Sequence, residues 1–311
     1  MNTKVCAVTG AFGFTGSYIA KRLLAEGKKV VTLTNSFKRQ GDLQGSIEAR
    51  GYSFDNFDKL VESLQDVDVL YNTYWVRFNH GENTHEKAAK NSAKLFKAAK
   101  LAGVSRIVHI SIANASKDSP FSYFRCKAET EMSLKTSGVS FAILRPAALF
   151  GQGGILINNI AWALRRMPVF AVFGGGNYHF QPIYVDDLAK LAVEAGKQAE
   201  DMEMYALGPD VFTYRELVDT IGQIIGCKRP VLPLPAFVGY ISAWFIGLLM
   251  RDVFATREEL DGLMADLLYV KGAVPTATTS LKDWVKEHKD SLGQHYSSEL
   301  ARRRDLNKPY W

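Results

Sequence analysis

Val5-Cys6-Ala7-Val8-Thr9-Gly10-Ala11-Phe12-Gly13-Phe14-Thr15-Gly16 is the stretch that decides the fold. A short apolar run ends in three glycines, and a helical pattern follows through Tyr18, Ile19 and Leu23-Leu24. Glycine takes backbone angles closed to other residues and lets a second backbone or a ligand come close. Placed between a strand and a helix, three of them at this spacing mark a built turn.

Outward from that turn the rhythm repeats. Val30 to Thr34, Val67 to Asn72, Arg106 to Ser111 and Phe141 to Leu144 read as buried strands. Phe57 to Leu64, Thr84 to Ala102 and Tyr123 to Thr136 read as helices between them. Continuous apolar strands alternating with amphipathic helices predict an α/β fold of Rossmann type, a doubly wound parallel sheet covered on both faces. Ligands of such sheets bind outside the carboxyl ends of the strands. Residues 1–150 form this domain. Residues 151–311 read as a smaller, mixed region that would bind substrate, with a turn at Gly174-Gly175-Gly176-Asn177 and a helix from Leu188 to Gly196. Thr213 and Glu216 form a capping box at the start of a further helix.

At the glycine turn a pyrophosphate fits. The helix N-terminus stabilises its charge, and the glycines let the backbone reach it. Gly10, Phe12, Gly13, Phe14, Thr15 and Gly16 are therefore candidate cofactor residues. Their spacing, T-G-x-x-G-x-x-G over Thr9 to Gly16, resembles the short-chain dehydrogenase/reductase superfamily in its extended or atypical branches. The resemblance continues through Val104 to Ser111, like that family's fifth strand. Leu144 to Gly151 is similar to the sixth strand, which would bring Pro146 and Ala147 to the nicotinamide. Gln181 to Asp187 is similar to the extended branch's V-D-D segment.

The nucleotide is expected to be NADP(H) rather than NAD(H). NAD enzymes place Asp or Glu after the second strand to hold the ribose 2′-hydroxyl. Here that position reads Thr34-Asn35-Ser36-Phe37-Lys38-Arg39, and no carboxylate appears before Asp42. Asn35, Lys38 and Arg39 suit a 2′-phosphate. Asn72 and Thr73, at the end of the fourth strand, are further cofactor candidates.

Tyr123 and Lys127 stand at i and i+4 on a predicted helix, so both project from one face. A nearby ammonium stabilises tyrosinate and makes the phenol a usable proton donor and acceptor. Ser111, twelve residues earlier, could hydrogen-bond a substrate oxygen. The resemblance implies that Lys127 also holds the nicotinamide ribose and that Asn91 supports Lys127. Two departures from the family stand out: Ser53-Phe54 where an Asp-Leu pair is common, and Tyr71-Asn72-Thr73-Tyr74 in place of small residues. Tyr74 and Trp75 would crowd the nicotinamide side.

Composition narrows the classes further. Of 311 residues, 47% are hydrophobic and 23% charged, which excludes disordered and low-complexity readings. Net charge is +6, and the first fifty residues carry eight basic side chains against three acidic ones. That bias suits an anionic ligand, while the basic and aromatic clustering of a nucleic-acid groove is missing. No nucleic-acid partner is expected. Cys6, Cys126 and Cys227 are far apart, and His80 and His85 with Glu82 and Glu86 are the only histidine cluster, so no metal is expected. The start has no signal-peptide pattern, which predicts a cytoplasmic protein.

Pro230 to Met250 carries no charge. Pro233 and Pro235 interrupt it, and the remaining 236–250 is too short to span a bilayer. Gly239, Ala243 and Gly247 line up on a helix and permit close contact. The segment reads as core or a homodimer contact, or as a peripheral attachment to a membrane or membrane complex. Together with Gln181 to Val185 and Ala255 to Glu259, it is similar to an atypical group, the nucleotide-binding accessory subunit of respiratory complex I and its bacterial relatives. That likeness implies tightly held NADPH with a structural role. Arg302-Arg303-Arg304 reads as a solvated helix face.

The leading expectation is an NADP(H)-dependent oxidoreductase, or a related epimerase or dehydratase, passing hydride between nicotinamide and a small carbonyl or hydroxyl substrate. Tyr123 would transfer the proton, Lys127 tune it, Ser111 orient the oxygen and Asn91 support Lys127. The alternatives are a non-catalytic NADPH-bearing structural or assembly protein, and an NADP(H)-binding redox sensor.

Overall fold

The computed structural model describes residues 4–37, 41–235, 240, 247, 252, 253 and 255–304, with backbone only at 303 and 304. Lys38, Arg39 and nearly all of 236–250 lie outside the described residues, so the expectations placed on them are not addressed by the fold.

In chain order the first unit contains β1 (Val5–Thr9), α1 (Phe14–Ala25), β2 (Lys29–Leu33), β3 (Glu48–Arg50), α2 (Phe57–Glu62), β4 (Val69–Asn72), α3 (His85–Leu101), β5 (Arg106–Ile110), α4 (Ser122–Lys135) and β6 (Ser140–Pro146). These strands lie in the order β3-β2-β1-β4-β5-β6, parallel throughout, the reversal at β1/β4 that defines a doubly wound sheet. β4 and β5 are buried along their whole length, because helices cover both faces. Leu60, Leu95, Phe96 and Ala99 from the helices, with Leu64 just after α2, pack on Ala7, Val31, Leu70 and Ile107 of the strands. The predicted helix Thr84 to Ala102 is His85–Leu101 with those two residues as its caps, and the Thr84 hydroxyl accepts the Lys87 N–H.

The chain divides after Pro146, and Leu188–Tyr205 returns to the first unit. A boundary at residue 150 therefore misses this return. Among the contacts that hold it is Arg106, 3% exposed inside an apolar strand. The guanidinium donates to the Ala195 carbonyl at 2.8 Å, the Glu200 carbonyl at 2.9 Å and the Ser140 hydroxyl at 2.6 Å. A buried charge is tolerated when its donors are satisfied in this way. The returning chain ends in a strand at Met202–Ala206 that extends the sheet beyond β6.

The second unit is mixed and holds three two-stranded pairings. Its elements are β7 (Ala148–Phe150), α5 (Ile155–Arg166), β8 (Phe170–Phe173), β9 (His179–Phe180) and β10 (Pro182–Tyr184). α6 (Val185–Ala195) and β11 (Met202–Ala206) lead through the first unit. The second unit resumes with β12 (Phe212–Thr213), α7 (Tyr214–Ile224), β13 (Val231–Leu234), α8 (Arg257–Met264), α9 (Leu281–Glu287) and α10 (Glu299–Arg304). Its own core gathers Phe150, Ile160, Leu164, Phe180, Leu217 and Trp284. The capping box is present: Glu216 N–H donates to Thr213 Oγ1 at 3.2 Å, and Thr213 N–H to Glu216 Oε2 at 2.8 Å. Among the described residues no helix is long and apolar enough to cross a membrane.

Candidate functional site

The glycine loop is built by close approach of backbone to backbone. Gly10 sits at φ +66°, a left-handed conformation that costs other residues. Its carbonyl accepts the Gly13 N–H at 2.8 Å, closing the turn into α1. A Cβ on Gly16 would stand 2.2 Å from that same carbonyl oxygen, and one on Gly13 3.1 Å from it. Only glycine fits at position 16. The first turn of α1 carries no acidic side chain, so nothing there opposes an anion at the helix N-terminus. Ala11 and Phe12 are buried, and Ala11 N–H is held by the Thr32 hydroxyl at 3.1 Å. Phe14, Thr15 and Gly13 remain partly open.

Thr9 fastens this loop to the end of β4. Its hydroxyl accepts the N–H of Thr73 at 2.7 Å and of Tyr74 at 3.0 Å, and Thr73 donates back to the Thr9 carbonyl at 2.5 Å. Thr73 thus lies beside the glycines, half-buried. Asn72 turns inward instead. It is fully buried, its Oδ1 accepts from Thr9 and Tyr74, and its amide faces His109 Nδ1 at 3.1 Å. With Oδ1 already accepting, the amide nitrogen must donate, so His109 carries its proton on Nε2. Burial and the neighbouring Lys127 hold the His109 pKa well below the usual imidazole range. Asn72 serves the fold at this position rather than presenting a free amide.

At the end of β2 the carboxylate of an NAD site is missing. Asn35 is exposed, with Oδ1 accepting the Tyr52 N–H at 3.3 Å. Asp42, the next carboxylate, is paired with Lys21 on α1 at 3.3 Å.

The helix α4 carries Tyr123, Lys127 and Glu131 one turn apart on one face. Lys127 is 3% exposed. Its Nζ donates to the Ile110 carbonyl at 2.8 Å and lies 4.3 Å from the centre of the Trp75 ring. Burial pushes the Lys127 pKa down to about 7, against the opposing charge of Glu131. An amine at that value is only partly cationic at neutral pH, so its leverage on the Tyr123 phenol is reduced. Trp75 also stacks on His85, 6.1 Å between centres, and meets Tyr123 edge-on at 5.8 Å. Tyr123 is half-buried in this aromatic group, which includes His85 at 5.3 Å. The seat of Trp75 on Lys127 was not readable in the sequence, and Tyr74 packs against Phe54 and Asn91 instead.

Ser111 and Asn91 are placed differently from the expectation. The Ser111 hydroxyl donates to Glu131 Oε1 at 2.5 Å. Arg145 grips the same carboxylate through Nε at 2.9 Å and Nη2 at 2.5 Å, and reaches Glu203 at 2.5 Å. Glu203 in turn holds Lys135 at 2.6 Å. Asn91 donates to the Tyr74 hydroxyl at 3.1 Å and has no hydrogen bond to Lys127 among the described residues. Glu131 and Arg145 were missed by motif reading. The signal available was the continuation of the Tyr123/Lys127 spacing by one further turn. Pro146 ends β6 with its carbonyl on the Ala113 N–H at 2.7 Å, and Ala147, 2% exposed, begins the second unit. Among the described residues no group of three metal-ligating side chains converges.

Comparison with known proteins agrees with the loop. Residues 10–157 match a family described as NAD(P)H-binding. The chain is 29% identical over 233 residues to the mitochondrial NADH dehydrogenase [ubiquinone] 1 alpha subcomplex subunit 9 of Arabidopsis thaliana. That match covers 71% of this chain and 58% of the relative, so the chain spans little more than half of that protein's length. The mouse protein of the same name is 26% identical, over 90% of this chain and 75% of its own. Among solved structures, an NADPH-dependent quinone oxidoreductase of Escherichia coli, determined with NADPH, superposes with a TM-score of 0.73. It is 20% identical, with 91% of this chain and 99% of that one covered, a likeness of fold. Residues 10–157 thus carry the match to the NAD(P)H-binding family, and the chain is homologous to the alpha-subcomplex subunit 9 proteins.

Proposed function

We propose that the first unit holds NADP(H) as a retained, non-catalytic group, and that the chain serves as a nucleotide-bearing part of a larger assembly. The turn at Gly10, Gly13 and Gly16 suits a pyrophosphate, since a glycine at position 16 lets the loop backbone pack against the helix start, whose N-terminus favours an anion. Thr73 lines it, and Asn35 with Lys38 and Arg39 of the sequence suits a 2′-phosphate where no carboxylate competes. Bound there, the nucleotide would supply a hydride.

The observation that carries the non-catalytic part is the commitment of Lys127 and Ser111. One is sealed on the Ile110 carbonyl beneath Trp75, the other bonded to Glu131. The Ser111 proton is thus committed to Glu131, and one Lys127 donor to the Ile110 carbonyl with the amine buried beneath Trp75. The shared ancestry with accessory subunits of NADH dehydrogenase supports the same reading. Contact with the assembly is assigned to the uncharged segment 236–250. The enzyme reading rests on Tyr123, which stays half-buried on the same helix face.

The test is to purify the protein without added nucleotide, release what it holds by denaturation and separate the products. Quinones, aldehydes and a metabolite extract are then offered to the NADPH-loaded protein beside Tyr123→Phe. Equimolar NADP(H), with no oxidation above the buffer rate in either protein, is expected. Oxidation that disappears in Tyr123→Phe overturns the non-catalytic reading, and recovery of NAD(H) overturns the cofactor assignment.

A further inference from the structure

In the second unit, α9 is a helix with two charged stripes of opposite sign. Leu281, Trp284 and Val285 are buried against Leu217, Val218 and Ile221 of α7, which fixes the inward face. Lys282 and Lys286 then fall on one flank, one turn apart, and Lys289 continues that flank into the turn beyond the helix. Asp283, Glu287 and Asp290, each one residue further on, are rotated by about 100° to the other flank. The basic flank does not face open solvent alone. Lys282, Lys286 and Lys289 line one side of a groove of about 590 Å³, with Thr220, Gln223 and Ile224 of α7 on the other.

The charges in this groove are only partly compensated, with Glu216 of α7 acting on Lys282 at longer range. Lys286 reaches Asp283 at 2.7 Å. Lys282 lies over the Phe212 ring at 5.3 Å, and neither it nor Lys289 has a carboxylate within 4 Å among the described residues. Like charges one turn apart repel. The Thr220 hydroxyl and the Gln223 carboxamide make no side-chain hydrogen bond among the described residues, so their donors are available to a ligand. Ile224 adds one apolar surface.

We infer that this groove binds a small organic polyphosphate, a site separate from the glycine loop. Lys282 to Lys289 spans about 10 Å at helical rise, the reach of two or three linked phosphates. Ammonium groups serve phosphates as point charges, and Thr220 and Gln223 supply the directed donors that orient them.

The probe is inorganic tripolyphosphate, titrated calorimetrically into the full chain loaded with NADPH and then freed of the excess, so that the glycine loop is occupied and no free nucleotide competes for the groove. The comparison is the triple variant Lys282→Gln/Lys286→Gln/Lys289→Gln, with Thr220→Val as the milder one, each checked for an unchanged melting temperature. Saturable, salt-sensitive binding that weakens at least tenfold in the triple variant, and less in Thr220→Val, is the expected result. Absence of saturable binding, or equal binding by wild type and triple variant, overturns the site. Vesicles of phosphatidylserine and phosphatidylcholine form the other arm. If they sediment the wild type but not the triple variant while tripolyphosphate stays unbound, the lysines face a membrane and the small-ligand assignment fails.

Discussion

The glycine loop and the Tyr123–Lys127 face belong to the same unit, yet they are specified in different ways. In the loop, backbone excludes alternatives: Gly10 needs its left-handed φ, and position 16 has no space for a side chain. On α4, the backbone only sets which residues share a face, and their partners decide the rest. Lys127 and Ser111 could each have pointed at a ligand, and each found a protein acceptor instead. A motif written in steric constraints transfers reliably from sequence to structure. One written in side-chain chemistry depends on neighbours far away in the chain.

The sharpest way to break that contrast is Gly16→Ala. The new Cβ collides with backbone, which cannot yield as a flexible side chain would. Bound nucleotide should be lost and stability should fall by about 3 kcal/mol, as overpacking does at its upper range. Gly27→Ala is the control, since Gly27 has φ +70° but nothing within 4 Å of a Cβ. It should cost about 1 kcal/mol from backbone strain alone and keep the nucleotide. Urea denaturation and nucleotide release measure both. Retention of nucleotide by Gly16→Ala would mean that the loop does not form the cradle.

A smaller effect is expected at the other region. Arg145→Met strips Glu131, whose side chain is 7% exposed, of its guanidinium. Breaking a buried pair from one side costs about 3–5 kcal/mol, and the partial exposure of Arg145 lowers the expectation here to about 2 kcal/mol. The double variant Arg145→Met/Glu131→Leu should recover much of this, because no uncompensated charge remains. Nucleotide content should not change in either. A loss below about 0.5 kcal/mol in the single variant would show the carboxylate to be solvated, with the network contributing little.

Five of the six strands through β6, the long helices and the capping box were legible because apolar periodicity and cap chemistry are local, whereas β3, Glu48-Ala49-Arg50, has no apolar run. β11 was not, since Met202–Ala206 carries Glu203 and Tyr205 on its open positions and shows no apolar run. The return of Leu188–Tyr205 was equally hidden, as its contacts, the buried Arg106 among them, join residues some sixty to ninety positions apart. In the site, the glycine turn and the shared face of Tyr123 and Lys127 could be read. The partners of Lys127, Ser111 and Asn91 could not, because Glu131, Ile110 and Tyr74 become their neighbours only on folding. Arg145 had been visible in its strand, but nothing local joined it to Ser111.

The finest separation of the two regions comes from pH. Lys127 titrates at about 7 in the fold, held down by burial and pulled up by Glu131, against about 10.4 in an unfolded chain. Below pH 7 the amine is charged in both states, and its lost solvation weighs against folding in full. Between about 7 and 10.4 the unfolded chain binds the proton that the native chain has released, so this residue's contribution to stability improves as pH rises. Lys127→Met carries no such charge at any pH. Its stability relative to wild type should therefore be greatest near pH 6 and should shrink steadily by pH 9, whatever constant term the lost bond to Ile110 adds. Urea midpoints of the two proteins at pH 6, 7.5 and 9 give that difference directly, with other titrating groups cancelling between them. A difference that stays flat would place the Lys127 proton outside this range and mean that the amine keeps its hydration. It would then be an ordinary cation beside Tyr123, as the enzyme reading requires.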